Sequence, residues 1–198
     1  MPVLALGWRH LFFDHPITAE LIWSLVLPES IKNGTRSLEN IVECGCLKHL
    51  VYYHQHGFGQ LNSYIMDSAA IHGDLDIVKF VYENRADGFN TYVMDCAAEN
   101  GRLDIVKFLH ENRTEGCTTK AMDWAAARGH LDIVKFLHEN RREGCTANAM
   151  LSAAVKGHLD VVKFLHENRN ESHTNNAIRY AAVYGHHDVV DFLKQVKV

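Results

Sequence analysis

The chain has 198 residues, 47% of them hydrophobic and 22% charged, with a formal net charge of -4. That is enough apolar material for a core, and it removes any compositional case for disorder. A mildly acidic balance offers no basic field to neutralise phosphates, which argues against nucleic acid as a partner. No apolar run approaches the roughly 18–20 residues of a membrane span.

At the N-terminus, the run Pro2 to Trp8 has no basic flank and meets Arg9 and His10 where an export signal would carry a small-residue cleavage site, so export is not predicted. Residues 1–33 concentrate Trp8, Phe12, Phe13, Leu21, Ile22 and Trp23. Stepped along the chain, this stretch overlays one more helix pair and predicts a helical N-terminal cap, a degenerate repeat covering the first full unit. The repeat array itself is expected over 34–198, with the last repeat acting as its C-terminal cap.

The repeat is legible from its glycines. Gly73, Gly101, Gly129 and Gly157 open the segments GDLDIVKF, GRLDIVKF, GHLDIVKF and GHLDVVKF, and successive ones are 28 residues apart. Gly185 and Gly45 continue the frame in worn form. Within one unit, Met122 to Arg128 is a strong helix former stopped at Gly129, the residue best able to take a left-handed conformation. We name it the A helix. From Leu131, the residues Leu131, Ile133, Val134, Phe136 and Leu137 share one arc at 100° per residue, opposite Asp132, Lys135 and Glu139, which predicts an amphipathic B helix. Glu139 to Thr146 then reads as helix end, turn and re-entry, with Gly144 at positive φ and Thr146 as N-cap. One such pair cannot bury its own arc, so the units must stack. The pairs Ala69-Ala70, Ala97-Ala98, Ala125-Ala126, Ala153-Ala154 and Ala181-Ala182 would set the stacking distance. Beside them Leu38, Met66, Met94, Met122, Met150 and Ile178 would fill the core between repeats.

The repeated A-A-x-x-G-H-L-D-I-V-K-F-L resembles the second half of the ankyrin repeat, over about Leu38 to Leu193. It departs from the family's usual period of about 33 residues and its T-P-L-H opening. The shortage falls in the loop that carries the family's projecting finger. The expected fold is all-α, an ankyrin-type solenoid of stacked antiparallel helix pairs with shortened inter-repeat loops. The resemblance implies a non-catalytic protein-binding module working through a concave groove of A helices and loops, with a protein partner, no cofactor and a monomeric state. A fainter likeness of Leu21 to Pro28 to an F-box docking helix leaves a second reading, the substrate-recognition subunit of a ubiquitin-ligase-type complex. The cytoplasm is the expected location, with the nucleus open to so small a chain by diffusion.

In a near-identical array, function should sit where the copies differ. The position after Met-Asp reads Asn40, Ser68, Cys96, Trp124, Ser152 and Tyr180, and the two after the Ala pair include Glu43, Glu99, Asn100, Arg128, Lys156 and Tyr184. The matching family positions line the groove. The binding set is therefore Ser68, Cys96, Glu99, Asn100, Trp124, Arg128, Ser152, Lys156, Arg179, Tyr180 and Tyr184. Aromatic and basic groups load its C-terminal half, while Glu43, Asp67, Asp95 and Glu99 make the N-terminal half acidic, a polarity that would orient a partner.

Other groups have weaker claims. Cys44, Cys46, His49, His54 and His56 have the residue types of a zinc site, but the repeat spreads them around a helix, so neither a metal nor a zinc- or cysteine-dependent enzyme is expected. Five cysteines, an odd number, fit a reducing compartment. His130, His158 and His186 follow the turn glycine, where local structural hydrogen bonds are expected. His110, His138 and His166 would form a row on the outer wall, beside the solvated charge lattice of Asp132, Lys135, Glu139 and their copies.

Overall fold

The computed structural model describes residues 38–43, 45–57, 60–84, 90–169 and 174–196. The cap expected over 1–33, the docking segment within it, Cys44 and the side chains of Leu38 and Asn40 lie outside the described residues. Among those described there are twelve α-helices and no strand. They form six consecutive pairs: α1 (Leu38–Glu43) with α2 (Leu47–Gln55), α3 (Ser63–His72) with α4 (Leu75–Asn84), and α5 (Tyr92–Glu99) with α6 (Leu103–Asn112). Then come α7 (Thr119–Arg128) with α8 (Leu131–Asn140), α9 (Ala147–Lys156) with α10 (Leu159–Asn168), and α11 (Thr174–Val183) with α12 (His187–Gln195). The odd-numbered helices are the A helices and the even-numbered ones the B helices of an all-α solenoid.

Local chemistry sets each boundary. Thr118 and Thr146, in extended conformation, cap α7 and α9 by accepting from the backbone N–H of Lys120 and Asn148. Gly129 ends α7 at φ 79°, and its N–H closes on the Ala125 and Ala126 carbonyls. A side chain there would meet the His158 ring 2.7 Å away. Along α8, Ile133, Val134 and Leu137 are buried while Asp132, Lys135 and Glu139 are exposed, as the arc predicts. The loop from α8 to α9, residues 141–146, contains no strand. A six-residue connection is too short for a projecting finger.

The units join through two different ladders. On the A side, Ala69, Ala70, Ala97, Ala98, Ala125, Ala126, Ala153 and Ala154 are all fully buried, with Met66, Met94, Met122 and Met150 beside them. Alanine against alanine lets consecutive A helices approach closely. On the B side, His54, Tyr82, His110, His138 and His166 each set a ring edge-on to the phenylalanine 26 positions further on, at 5.4 to 5.9 Å between centroids. Lys79, Lys107, Lys135 and Lys163 hold their ammonium groups 5.6 to 6.0 Å from the rings of Phe108, Phe136, Phe164 and Phe192. The histidine row and the lysines of the charge lattice thus do more than face solvent: they form the outer contact between repeats. Because these rings hold B helices further apart than alanines hold A helices, the array bends with the A helices on its inner wall.

Polar bonds lock the register. Asp95 accepts from the N–H and hydroxyl of Thr118 at 2.8 and 2.7 Å, and Asp123 from those of Thr146 at 2.7 and 2.7 Å. At the opposite end of the A helices, His130 Nε2 donates to the Glu99 carbonyl at 3.1 Å and His186 Nε2 to that of Val155 at 2.9 Å. Arg102 Nε takes the same role toward Ile71, at 3.3 Å. These side chains reach the preceding repeat, where local bonds were expected. On α11 the stacking alanine Ala182 is exposed, and α12 carries Asp191 and Lys194 where earlier repeats carry the ladder's lysine and histidine.

Candidate functional site

The inner wall sorts the predicted residues into three groups. Arg128, Lys156, Arg179, Tyr180 and Tyr184 are exposed, and Glu99, Asn100, Trp124 and Ser152 are half-buried. Ser68 and Cys96 are buried, at 5% and 2% exposure, so they present no surface, contrary to the sequence expectation. Their side-chain partners lie one turn away on the same helix: Ser68 meets His72 at 3.4 Å, and Cys96 bonds the Tyr92 hydroxyl. Asp95, expected to make the N-terminal half acidic, is also only 1% exposed, because it is spent on Thr118.

Two surface aromatics lie outside the predicted set. Tyr64 on α3 is 54% exposed and Tyr92 on α5 is 45% exposed. Both occupy the position four residues before the variable one that follows Met-Asp, and this earlier position reads Tyr64, Tyr92, Lys120, Asn148 and Asn176. Residues four apart share a helix face, so differences between copies at this second position carry the signal. Tyr92 meets Trp124 of the following unit edge-to-face, with centroids 6.5 Å apart. The Lys120 ammonium lies 5.4 Å from the Trp124 ring centroid. Across the same units Arg128 donates to Glu99 at 2.8 Å. Further along, the Arg179 guanidinium lies 5.2 Å from the Tyr180 ring centroid. The wall thus carries aromatic anchors flanked by charge, the composition of binding hot spots.

One hydroxyl and two thiols are held above their ordinary values. The Tyr92 hydroxyl is pushed up to about 12, first by its hydrogen bond to Cys96 and that group's charge, then by burial and by the carboxylates of Asp67 and Glu99. Burial raises the Cys96 thiol, and it pushes Cys117 up to about 12, with Glu143 adding to the effect. A thiol held that high is not a thiolate at neutral pH, and the thiolate is the nucleophile. None of Cys46, Cys96, Cys117 and Cys145 is in a disulfide.

Near Cys46, His54 and His56 turn to different neighbours. The His54 ring sits edge-on to Phe80 at 5.7 Å, whereas His56 stacks on Tyr52 at 4.0 Å and donates through Nδ1 to the Tyr52 carbonyl at 2.8 Å. Among the described residues no group of three or more His, Cys, Asp or Glu side chains is arranged to hold a metal. No helix among them is long and apolar enough to cross a membrane.

Paired helices stacked through a regular ladder, with the variable side chains gathered on one wall, define a helical-repeat solenoid. Residues 65–150 and 122–197 match the family model for ankyrin repeats in three copies, and the chain belongs to the ankyrin repeat family. A search of curated proteins returns no match to it. Ankyrin repeats are in general protein–protein interaction modules.

Proposed function

We propose that this chain is a non-catalytic module that binds a protein partner along its inner, A-helix wall, as a scaffold, adaptor or inhibitor. The distribution of exposed apolar side chains carries the reading. Of the large hydrophobic side chains exposed among the described residues, Tyr64, Tyr92, Tyr180, Val183 and Tyr184 lie on an A helix or directly after one, and only Val196 does not. Exposed aromatics cost solubility, so their confinement to one wall points to a partner there. The loops of 113–118 and 141–146 are short, and each pairs charges within itself: Arg113 bonds Glu115 and Arg141 bonds Glu143. Recognition therefore falls to the helices rather than to finger tips.

The test is affinity capture with three versions of equal helicity by circular dichroism: wild type, the wall variant Tyr92→Ala/Trp124→Ala, and the outer-wall control Glu139→Lys. Proteins held by wild type and control and lost by the wall variant support the reading. The same proteins on all three would sink it.

A further inference from the structure

The C-terminal half of the inner wall has a shape of its own. Residues four apart share a helix face, which sets Lys120, Trp124 and Arg128 in line on α7, and Asn148, Ser152 and Lys156 on α9. Asn176, Tyr180 and Tyr184 continue the pattern on α11 and directly after it, and none of these side chains is fully buried. The middle row reads Trp124, Ser152, Tyr180, so a small side chain separates two aromatics on consecutive packed helices and leaves a trough across them. Helix-to-helix steps of about 10 Å make that trough about as long as six extended residues.

The charge on these three helices is of one sign. Lys120, Arg128, Lys156 and Arg179 are all exposed, against a single acid, Asp123, which is 8% exposed and holds Thr146. Glu99 reaches over from α5 and offsets Arg128. Among the described residues no acid pairs with Lys120, Lys156 or Arg179. The Lys120 ammonium lies 5.4 Å from the Trp124 ring and the Arg179 guanidinium 5.2 Å from that of Tyr180, contacts that position the two cations without neutralising them. Lys120 and Lys156 stand one turn to either side of the middle row, about 6 Å along the helix axis, within reach of the trough for so long a side chain. Beyond the turns, Asp132 and Asp160 are held by their own helices, accepting from the N–H of Ile133 and Val161 at 2.9 Å. The N-terminal half differs, since α3 and α5 carry no lysine or arginine.

We propose, resting on the wall as the binding surface, that the partner presents an extended acidic segment, which lies in the trough from Trp124 to Tyr180 with its carboxylates on Lys120, Lys156 and Arg179. The three bases supply attraction, and the two aromatics supply contact area. A nucleic-acid strand has the same sign of charge, but the chain's net charge of -4 and the exposed aspartates that begin the B helices, Asp76, Asp104, Asp132, Asp160 and Asp188, oppose a long polyphosphate more than a short run of carboxylates.

The experiment measures fluorescence anisotropy of three labelled probes at about 100 mM salt. One is a peptide of about eight residues alternating glutamate with serine, sized to the trough; the others are its arginine counterpart and an oligothymidylate of similar length. The expected result is about tenfold tighter binding of the glutamate peptide than of either other probe. Lys156→Ala/Arg179→Ala should lower that affinity about tenfold, and Lys156→Glu/Arg179→Glu should turn the preference toward the arginine peptide. Lys107→Ala/Lys135→Ala removes the same charge from the outer wall and should change binding less than about twofold. Circular dichroism checks that all variants are equally helical. No preference for the glutamate peptide, equal losses in the inner-wall and outer-wall variants, or tighter binding of the oligothymidylate overturns the proposal. If that happens while Tyr92→Ala/Trp124→Ala still loses its captured proteins, the wall binds a partner of other chemistry and only this inference falls. If capture is unaffected as well, both fall.

Discussion

Along the inner wall, consecutive A helices meet through alanines with nothing beyond Cβ to adjust. Along the outer wall, consecutive B helices meet through phenylalanine, histidine and lysine side chains several bonds long. The inner contact is close and leaves its larger neighbours, Tyr64, Tyr92, Trp124 and Tyr180, free to face outward from the ladder. The outer contact consumes its large side chains in holding the repeats apart. The same difference that bends the solenoid therefore decides which wall has side chains left over for a partner.

Adding volume to the inner ladder should disturb this contrast most. Ala126→Phe, between α7 and α9, should cost about 3 kcal/mol by overpacking. The same change at Ala182, exposed on the last A helix, should stay within about 0.5 kcal/mol. Urea denaturation of both variants decides it, and equal losses would mean that the inner ladder is not the rigid one. Next in size is Asp123→Ala, which strands the Thr146 N–H and hydroxyl and should cost about 2 kcal/mol. Asp132→Ala, at the exposed start of α8, should cost about 0.5 kcal/mol in the same assay.

The outer ladder should respond in the opposite direction. His110 Nδ1 and His138 Nδ1 are buried without a hydrogen-bond partner, so these rings serve as aromatic plates. His138→Phe keeps the edge-on contact with Phe164 and removes a stranded polar atom, for an expected gain of about 0.5 kcal/mol. A loss of that size would show that the nitrogen matters to the ladder.

The smallest effect is at the loop clasp. Burial raises Glu143, but hydrogen bonds from Arg141 and from backbone N–H groups, with the Arg141 charge, outweigh it and hold the carboxyl below its ordinary 4.5. A carboxyl with a depressed folded-state value contributes stability above its ordinary value and loses it as pH falls through the folded one. Wild type should therefore be more stable than Glu143→Gln at neutral pH, with the gap closing on acidification below about pH 4. A gap that widens in acid would contradict the clasp.

Much of this architecture is legible in the residues alone. The 28-residue period, the helix pair, the stop at Gly129, the positive φ of Gly144 and the cap at Thr146 all depend on residues within a few positions of one another. Half of the candidate wall is legible too, because copies of one repeat differ visibly at Trp124, Arg128, Lys156, Tyr180 and Tyr184. Tyr64 and Tyr92 carry the same signal one helical turn earlier, outside the positions that the family resemblance places in the groove.

Burial is harder to read. Ser68 and Cys96 look like their counterparts Trp124 and Tyr180 when the repeats are aligned, yet they are covered. Asp95 looks like a surface carboxylate until Thr118, 23 residues away, is placed against it. The turn residues Arg102, His130 and His186 likewise find their acceptors in the preceding unit, 31 residues back. Local propensity and periodicity act within one unit, and for that reason the repeat, its helices and its stacking residues follow directly from the order of amino acids. Which side chains the stack consumes and which it leaves exposed is settled between units, where Thr118 claims Asp95 and the phenylalanine ladder claims His110 and His138, each across a repeat boundary.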